Sequence, residues 1–120
     1  MRALFDTNIL IDYLNGVEAA KAEIALYKSP AISVISWIEV LAGTRTAFEA
    51  ETRKFLASFE RIELTGNIAD QAVVLRRAGK MRVPDAIILA TARVENLVLI
   101  TRNTKDFAED EPGIRVPYRI

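Results

Sequence analysis

Apolar positions along the chain fall in short runs that switch between two periods. Ala3-Leu4-Phe5 is an unbroken apolar run ending at Asp6, the mark of a short strand covered on both faces. Ile9, Leu10, Tyr13 and Leu14 then recur at helical spacing until Asn15-Gly16, a pair that stops a helix. Ala19 to Tyr27 predicts a second helix, closed off by Pro30. Ala31 to Ile35 is rich in β-branched residues and predicts a strand, after which Ser36 opens a helix over Trp37–Ala42. Ala47 to Phe59 is amphipathic, with Phe48, Phe55, Leu56 and Phe59 inward and Glu49, Glu51, Arg53 and Lys54 outward. Arg61 to Thr65 alternates like an edge strand, and Gly66-Asn67 turns the chain into a helix over Ile68–Ala78. Pro84 opens another helix, Asp85–Val94. Leu97 to Ile100 is a second fully apolar strand, and Ile114–Val116 predicts a weak final one. The acidic run Glu109-Asp110-Glu111 reads as a solvated loop.

Strands alternating with helices predict an α/β fold around a mainly parallel sheet. A length of 120 residues without linker or repeat predicts one domain spanning 1–120. Composition then removes whole classes of chemistry. The chain has no cysteine and no histidine, which excludes disulfides, thiolate nucleophiles, Ser-His-Asp triads and imidazole-bound metal. Sixteen basic residues balance sixteen acidic ones, so contact with nucleic acid has to come from local patches. The apolar stretch at the start ends at Asp6, too soon for a signal peptide, and no run approaches a membrane span. The sequence therefore reads as a cytoplasmic protein with no membrane segment.

The remaining chemistry is that of oxygen, and the position of the acids is what matters. Asp6 follows the first strand, Glu39 lies in the helix after the next clear strand, and Asn103 and Asp106 follow Leu97–Ile100. Open α/β sheets build their sites outside the carboxyl ends of the strands. Each residue also has an ordinary reading: Asp6 as a helix cap, Ser36 with Glu39 as a capping box, Pro84-Asp85 as a helix start, and Asn103 as the cap of a turn to Asp106. Asp85 resists that reading. It is the only charged residue from Val83 to Ala92, on a helix apolar enough to be buried, where an unpaired carboxylate is costly. Several carboxylates gathered at one point repel unless a cation lies among them. With oxygen donors only, that cation is Mg2+ or Mn2+, which supports phosphodiester hydrolysis without histidine.

Four segments in order carry a resemblance: Asp6-Thr7-Asn8, Ile35-Ser36-Trp37-Ile38-Glu39-Val40-Leu41-Ala42-Gly43, Pro84-Asp85-Ala86-Ile87-Ile88-Leu89-Ala90-Thr91-Ala92 and Leu99-Ile100-Thr101-Arg102-Asn103-Thr104-Lys105-Asp106-Phe107. Together they resemble the PIN-domain nucleases, specifically the VapC-type toxins of toxin–antitoxin pairs, across essentially the whole chain. The resemblance implies a three-layer fold and a Mg2+- or Mn2+-dependent endoribonuclease. It makes Asp6, Glu39 and Asp85 the catalytic acids, with Asp6 and Asp85 as metal ligands. Asn8, Thr101 and Asn103 become supporting residues. Asn103 stands where many relatives have a fourth acid, which implies one well-held ion. The resemblance also implies a homodimer and a VapB-type antitoxin whose C-terminal segment lies in a groove over the acids. Arg82, Arg102 and Lys105, near the acid edge, are the candidate contacts to RNA. A catalytically silent PIN-like module that only binds RNA or a partner is the alternative. A phosphoacceptor receiver domain fits poorly, because one acid rather than a pair follows Phe5.

Overall fold

In a computed structural model, residues 2–120 are described; Met1, the first residue of the expected domain, lies outside the described residues. Five short strands form one sheet: β1 (Ala3–Phe5), β2 (Ala31–Ser33), β3 (Glu60–Ile62), β4 (Val98–Ile100) and β5 (Ile114–Arg115). Their order is β3-β2-β1-β4-β5 and every pairing is parallel. Helices cover both faces: α1 (Thr7–Leu14), α2 (Glu18–Ala25), α3 (Val34–Ala42), α4 (Glu49–Leu56), α5 (Gly66–Ala78) and α6 (Val83–Val94). The expected three-layer α/β architecture is what forms. No helix among the described residues is long and apolar enough to cross a membrane.

The period of the strands sorts the core into two layers. Leu4, Ala31 and Leu99 join Ile68, Ala72, Ala86 and Ile88 under α5 and α6. Ala3, Phe5, Ile32 and Ile100 join Ile9, Leu10, Val40 and Leu56 on the other face. Alternate residues of one strand serve opposite layers, so strands buried on both sides read as continuous apolar runs. Tyr13 belongs to the second layer and stacks on Phe55 with ring centroids 4.3 Å apart. Trp37 packs there too, with the guanidinium groups of Arg53 and Arg61 within 5.3 and 4.8 Å of its ring.

Among the boundaries that differ from the sequence expectation, three bear on the site or the core. The strand at Ala31 stops at Ser33, and α3 begins at Val34. The Ser33 hydroxyl accepts the Ile35 N–H at 3.0 Å and caps that helix, so the β-branched pair Val34-Ile35 is helical despite its strand preference. Ser36 is therefore an interior helical residue, fully buried, and the Ser36–Glu39 capping box does not form. The helix expected over Ala47–Phe59 is a 3-10 helix, Thr46–Phe48, followed by α4. Phe48, on the tighter turn, points outward and is 55% exposed. The edge strand ends at Ile62, and Thr65, expected as its last residue, caps α5 instead by accepting the Ile68 N–H at 3.3 Å.

Two buried carboxylates brace the edge formed by β5 and the chain after it. Glu23 on α2 accepts two bonds from Arg115, at 2.7 and 3.0 Å, and one from the Tyr27 hydroxyl at 3.1 Å. Asp12 on α1 accepts two from Arg102, at 2.5 and 2.9 Å, and one from the Tyr118 hydroxyl at 2.8 Å. Both carboxyls are held below their usual range, chiefly by the arginine hydrogen bonds. A carboxylate depressed in the folded state stabilises above its unfolded pKa and loses that contribution as pH falls through the folded value. Glu23→Gln is therefore expected to lower stability by about 1–2 kcal/mol at pH 7, the half-exposed guanidinium limiting the loss. In urea titrations the difference from the wild type should close once the pH falls below the depressed Glu23 value.

Candidate active site

Parallel strands place all their carboxyl ends on one edge. The strand order reverses at β1, which lies between β2 and β4, and crevices for ligands open at such points. Asp6 leaves β1 and Thr101 leaves β4 side by side there. Asp6 is 4% exposed and fully engaged. Its Oδ1 accepts the Thr7 N–H at 2.8 Å, which caps α1. Its Oδ2 accepts the Thr101 hydroxyl at 2.8 Å and the Asn8 amide at 3.2 Å. Thr101 Oγ1 in turn accepts the Asn103 N–H at 3.0 Å.

Glu39 comes to the same edge through α3. The Thr7 hydroxyl donates to Glu39 Oε1 at 2.7 Å. Thr7 Oγ1 also lies 2.9 Å from Ser36 Oγ; with its one proton given to Glu39, that second contact takes the Ser36 proton. Thr7 and Ser36 thus tie the β1 end to α3, a role the sequence reading did not assign to either. Asp85 sits in the first turn of α6, beside Pro84 and 9% exposed. Its buried Oδ2 has no hydrogen-bond partner. Arg82 Nε is 3.6 Å from that oxygen, beyond hydrogen-bond reach, and its side chain is largely in solvent.

The acids feel one another. Burial pushes Asp6 up to about 6, against the Thr101 and Thr7 hydrogen bonds, and the charges of Asp85 and Glu39 add to the rise. Burial also raises Asp85; Arg82 opposes the rise, while Asp106 and Glu39 reinforce it. No trio of acidic side chains among the described residues stands at the spacing that encloses an ion; the carboxylates meet as charges across one edge. Two features fit a hard divalent cation all the same. Every donor is oxygen, and Asp85 offers a buried oxygen with no hydrogen-bond partner, faced only by the long contact to solvent-exposed Arg82.

The remaining predicted residues divide. Asn103 closes a turn, donating to Asp106 Oδ2 at 2.8 Å and accepting the Asp106 N–H at 3.2 Å. Arg82 and Lys105 are exposed. The Arg102 guanidinium, expected on RNA, is committed to Asp12. Asp12 was not singled out, although it is the only charged residue of α1, the same signal that marks Asp85. Between α1, α3 and α4 runs a groove of about 590 Å³, bordered by Ile11, Leu14, Thr44, Phe48 and Phe55, with Glu39 in its wall.

A family model described as PIN domain matches residues 3–109, and the chain belongs to the PIN domain family. Over 125 residues it is 36% identical to Ribonuclease VapC10 of Mycobacterium tuberculosis, covering 98% of this chain and 93% of that protein. A toxin–antitoxin complex from Klebsiella pneumoniae contains a chain 48% identical, with a TM-score of 0.92 over 98% of this chain and 99% of that one. FitAcB from Neisseria gonorrhoeae, 19% identical, shares the fold at a TM-score of 0.81 over 98% and 99% of the two chains.

An Asp6 pKa raised from 3.8 to about 6 has a defined effect on stability. The cost of its charge is absent below the unfolded value, grows as pH rises between the two values, and is complete above the folded one. A displacement of roughly two pH units corresponds to about 3 kcal/mol. Asp6→Asn, measured in EDTA, is expected to be more stable than the wild type at pH 7.5 by up to about that amount. The gain should disappear near pH 4. A variant less stable at both pH values would contradict this reading of the site.

Proposed function

We propose that this chain is the ribonuclease toxin of a toxin–antitoxin pair and that it hydrolyses RNA phosphodiester bonds with a divalent cation. The observation carrying this reading is the pair of buried carboxylates, Asp6 and Asp85, at the edge where β1 and β4 end: Asp6 has neutral donors only, and Asp85 has one long ion pair to a solvent-exposed Arg82 and a buried oxygen with no hydrogen-bond partner. Asp6 and Asp85 would hold the ion. When bound, Mg2+ or Mn2+ lowers the pKa of water and neutralises charge on phosphoryl oxygens.

The chain's own residues do the positioning. Thr101 and Asn8 fix Asp6 Oδ2 from one side, and the Thr7 N–H fixes Oδ1 from the other. Thr7 holds Glu39 through Oε1, leaving Oε2 to orient the attacking water and take its proton. Asn103 supports Thr101 through its backbone. The exposed Arg82 and Lys105 meet the phosphate backbone, which sets affinity rather than sequence choice. The groove beside Glu39 takes the C-terminal segment of a VapB-type antitoxin, where a basic side chain would neutralise the acids. A second copy packs on the apolar cleft of about 280 Å³ between α5 and α6, walled by Val73, Val83 and Ile87.

The partner-free protein is expected to cut RNA with Mg2+ or Mn2+ and to stop in EDTA. Asp85→Asn should reduce the rate at least about 100-fold, because it removes a ligand charge from the ion. Gel analysis of cleavage products checks both; cutting that persists in EDTA rules out the metal reading. Arg82→Ala and Lys105→Ala are each expected to weaken binding evenly across RNA sequences. Each should also flatten the plot of log affinity against log salt by about 0.7, the value for one single-strand phosphate contact.

A further inference from the structure

We infer that Arg102 is a positioning residue rather than an RNA contact: locked onto Asp12, which Tyr118 also holds, it fixes the turn that holds Asp6. The inference rests on the ribonuclease reading above and names how that site is kept in register. Arg102 lies between Thr101, whose hydroxyl donates to Asp6, and Asn103, whose N–H returns to Thr101. Its backbone N–H points to Asn8 Oδ1 at 3.4 Å, so main chain and side chain both attach to α1. The guanidinium grips both oxygens of Asp12, a carboxylate whose side chain is 5% exposed.

The anchor does not end at Asp12. Tyr118 donates to Asp12 Oδ2 from the chain beyond β5. Within β5 itself, the Arg115 carbonyl accepts the Thr101 N–H at 3.0 Å. Thr101 is thus held by its backbone from β5, and its neighbour is held by its side chain from α1. Asp12 and Tyr118 make no hydrogen bond to Asp6, Glu39 or Asp85; Arg102 links them to the turn that holds Asp6. A fork with two parallel donors sets an angle as well as a distance, which an ammonium group cannot do.

Arg102→Lys and Tyr118→Phe separate the two roles, with Mn2+ affinity measured calorimetrically and kcat and KM measured on RNA. Lysine keeps the charge a phosphate would need but loses the fork. Positioning predicts Mn2+ binding about 10-fold weaker in Arg102→Lys, a lower kcat, an unchanged KM and an unchanged salt slope. Tyr118→Phe should show a smaller loss in the same direction. If Arg102→Lys does not fold, as judged by thermal unfolding, Tyr118→Phe decides alone. Mn2+ affinity within twofold of the wild type in every folded variant overturns the inference and leaves the ribonuclease reading standing. A wild-type protein that neither binds Mn2+ nor cuts RNA overturns both.

Discussion

A carboxylate removed from water needs a positive partner, and four are removed in the described part of this fold: Asp6, Asp12, Glu23 and Asp85. Asp12 and Glu23 each receive a two-pronged arginine and a tyrosine hydroxyl. Asp6 receives neutral donors only, and one oxygen of Asp85 receives none. The consequence is visible in the direction of their proton affinities, down for the first pair and up for the second. The acids gripped by arginine forks hold structure together; Asp6, with neutral donors, and Asp85, with one long contact to exposed Arg82, strain it at one edge. Proteins keep such strain where chemistry uses it.

The geometry follows from the sheet. With all strands parallel and β1 between β2 and β4, the first and fourth strands end together, and an acid on one meets a hydroxyl on the other. α3 and α6, which touch each other, bring Glu39 and Asp85 to that edge. Neither helix needs a special motif for this. α3 starts where the Ser33 hydroxyl caps it, and α6 starts with a proline near its first position.

Much of this was legible in the residues. Apolar runs ending at Asp6 and Ile100 gave both central strands, because strands covered on two faces leave no alternation to confuse. Asp85 stood out as a lone charge in an apolar helix. The same rule applied to α1 singles out Asp12, yet the rule cannot say whether an arginine will arrive from elsewhere. Asp12 meets Arg102 across ninety positions of sequence, a pairing that no local pattern encodes. The misplaced start of α3 has a different cause. Val34 and Ile35 favour strands on their own, and a single hydroxyl three residues before Ser36 decides the outcome. Thr7 went unnoticed because its value lies in reaching α3, a neighbour known only after folding.

The bond between Thr101 and Asp6 spans ninety-five positions, and β1 pairs with β4 over the same interval. Contacts of such range form late, since the intervening chain has to be gathered first. During synthesis, β1 is made ninety-five residues ahead of the strand that pairs beside it. A nascent chain therefore carries Asp6 without the hydroxyl that fixes its Oδ2 until β4 has been made. The edge that gathers Asp6 with Thr101 exists only once β4 has docked beside β1.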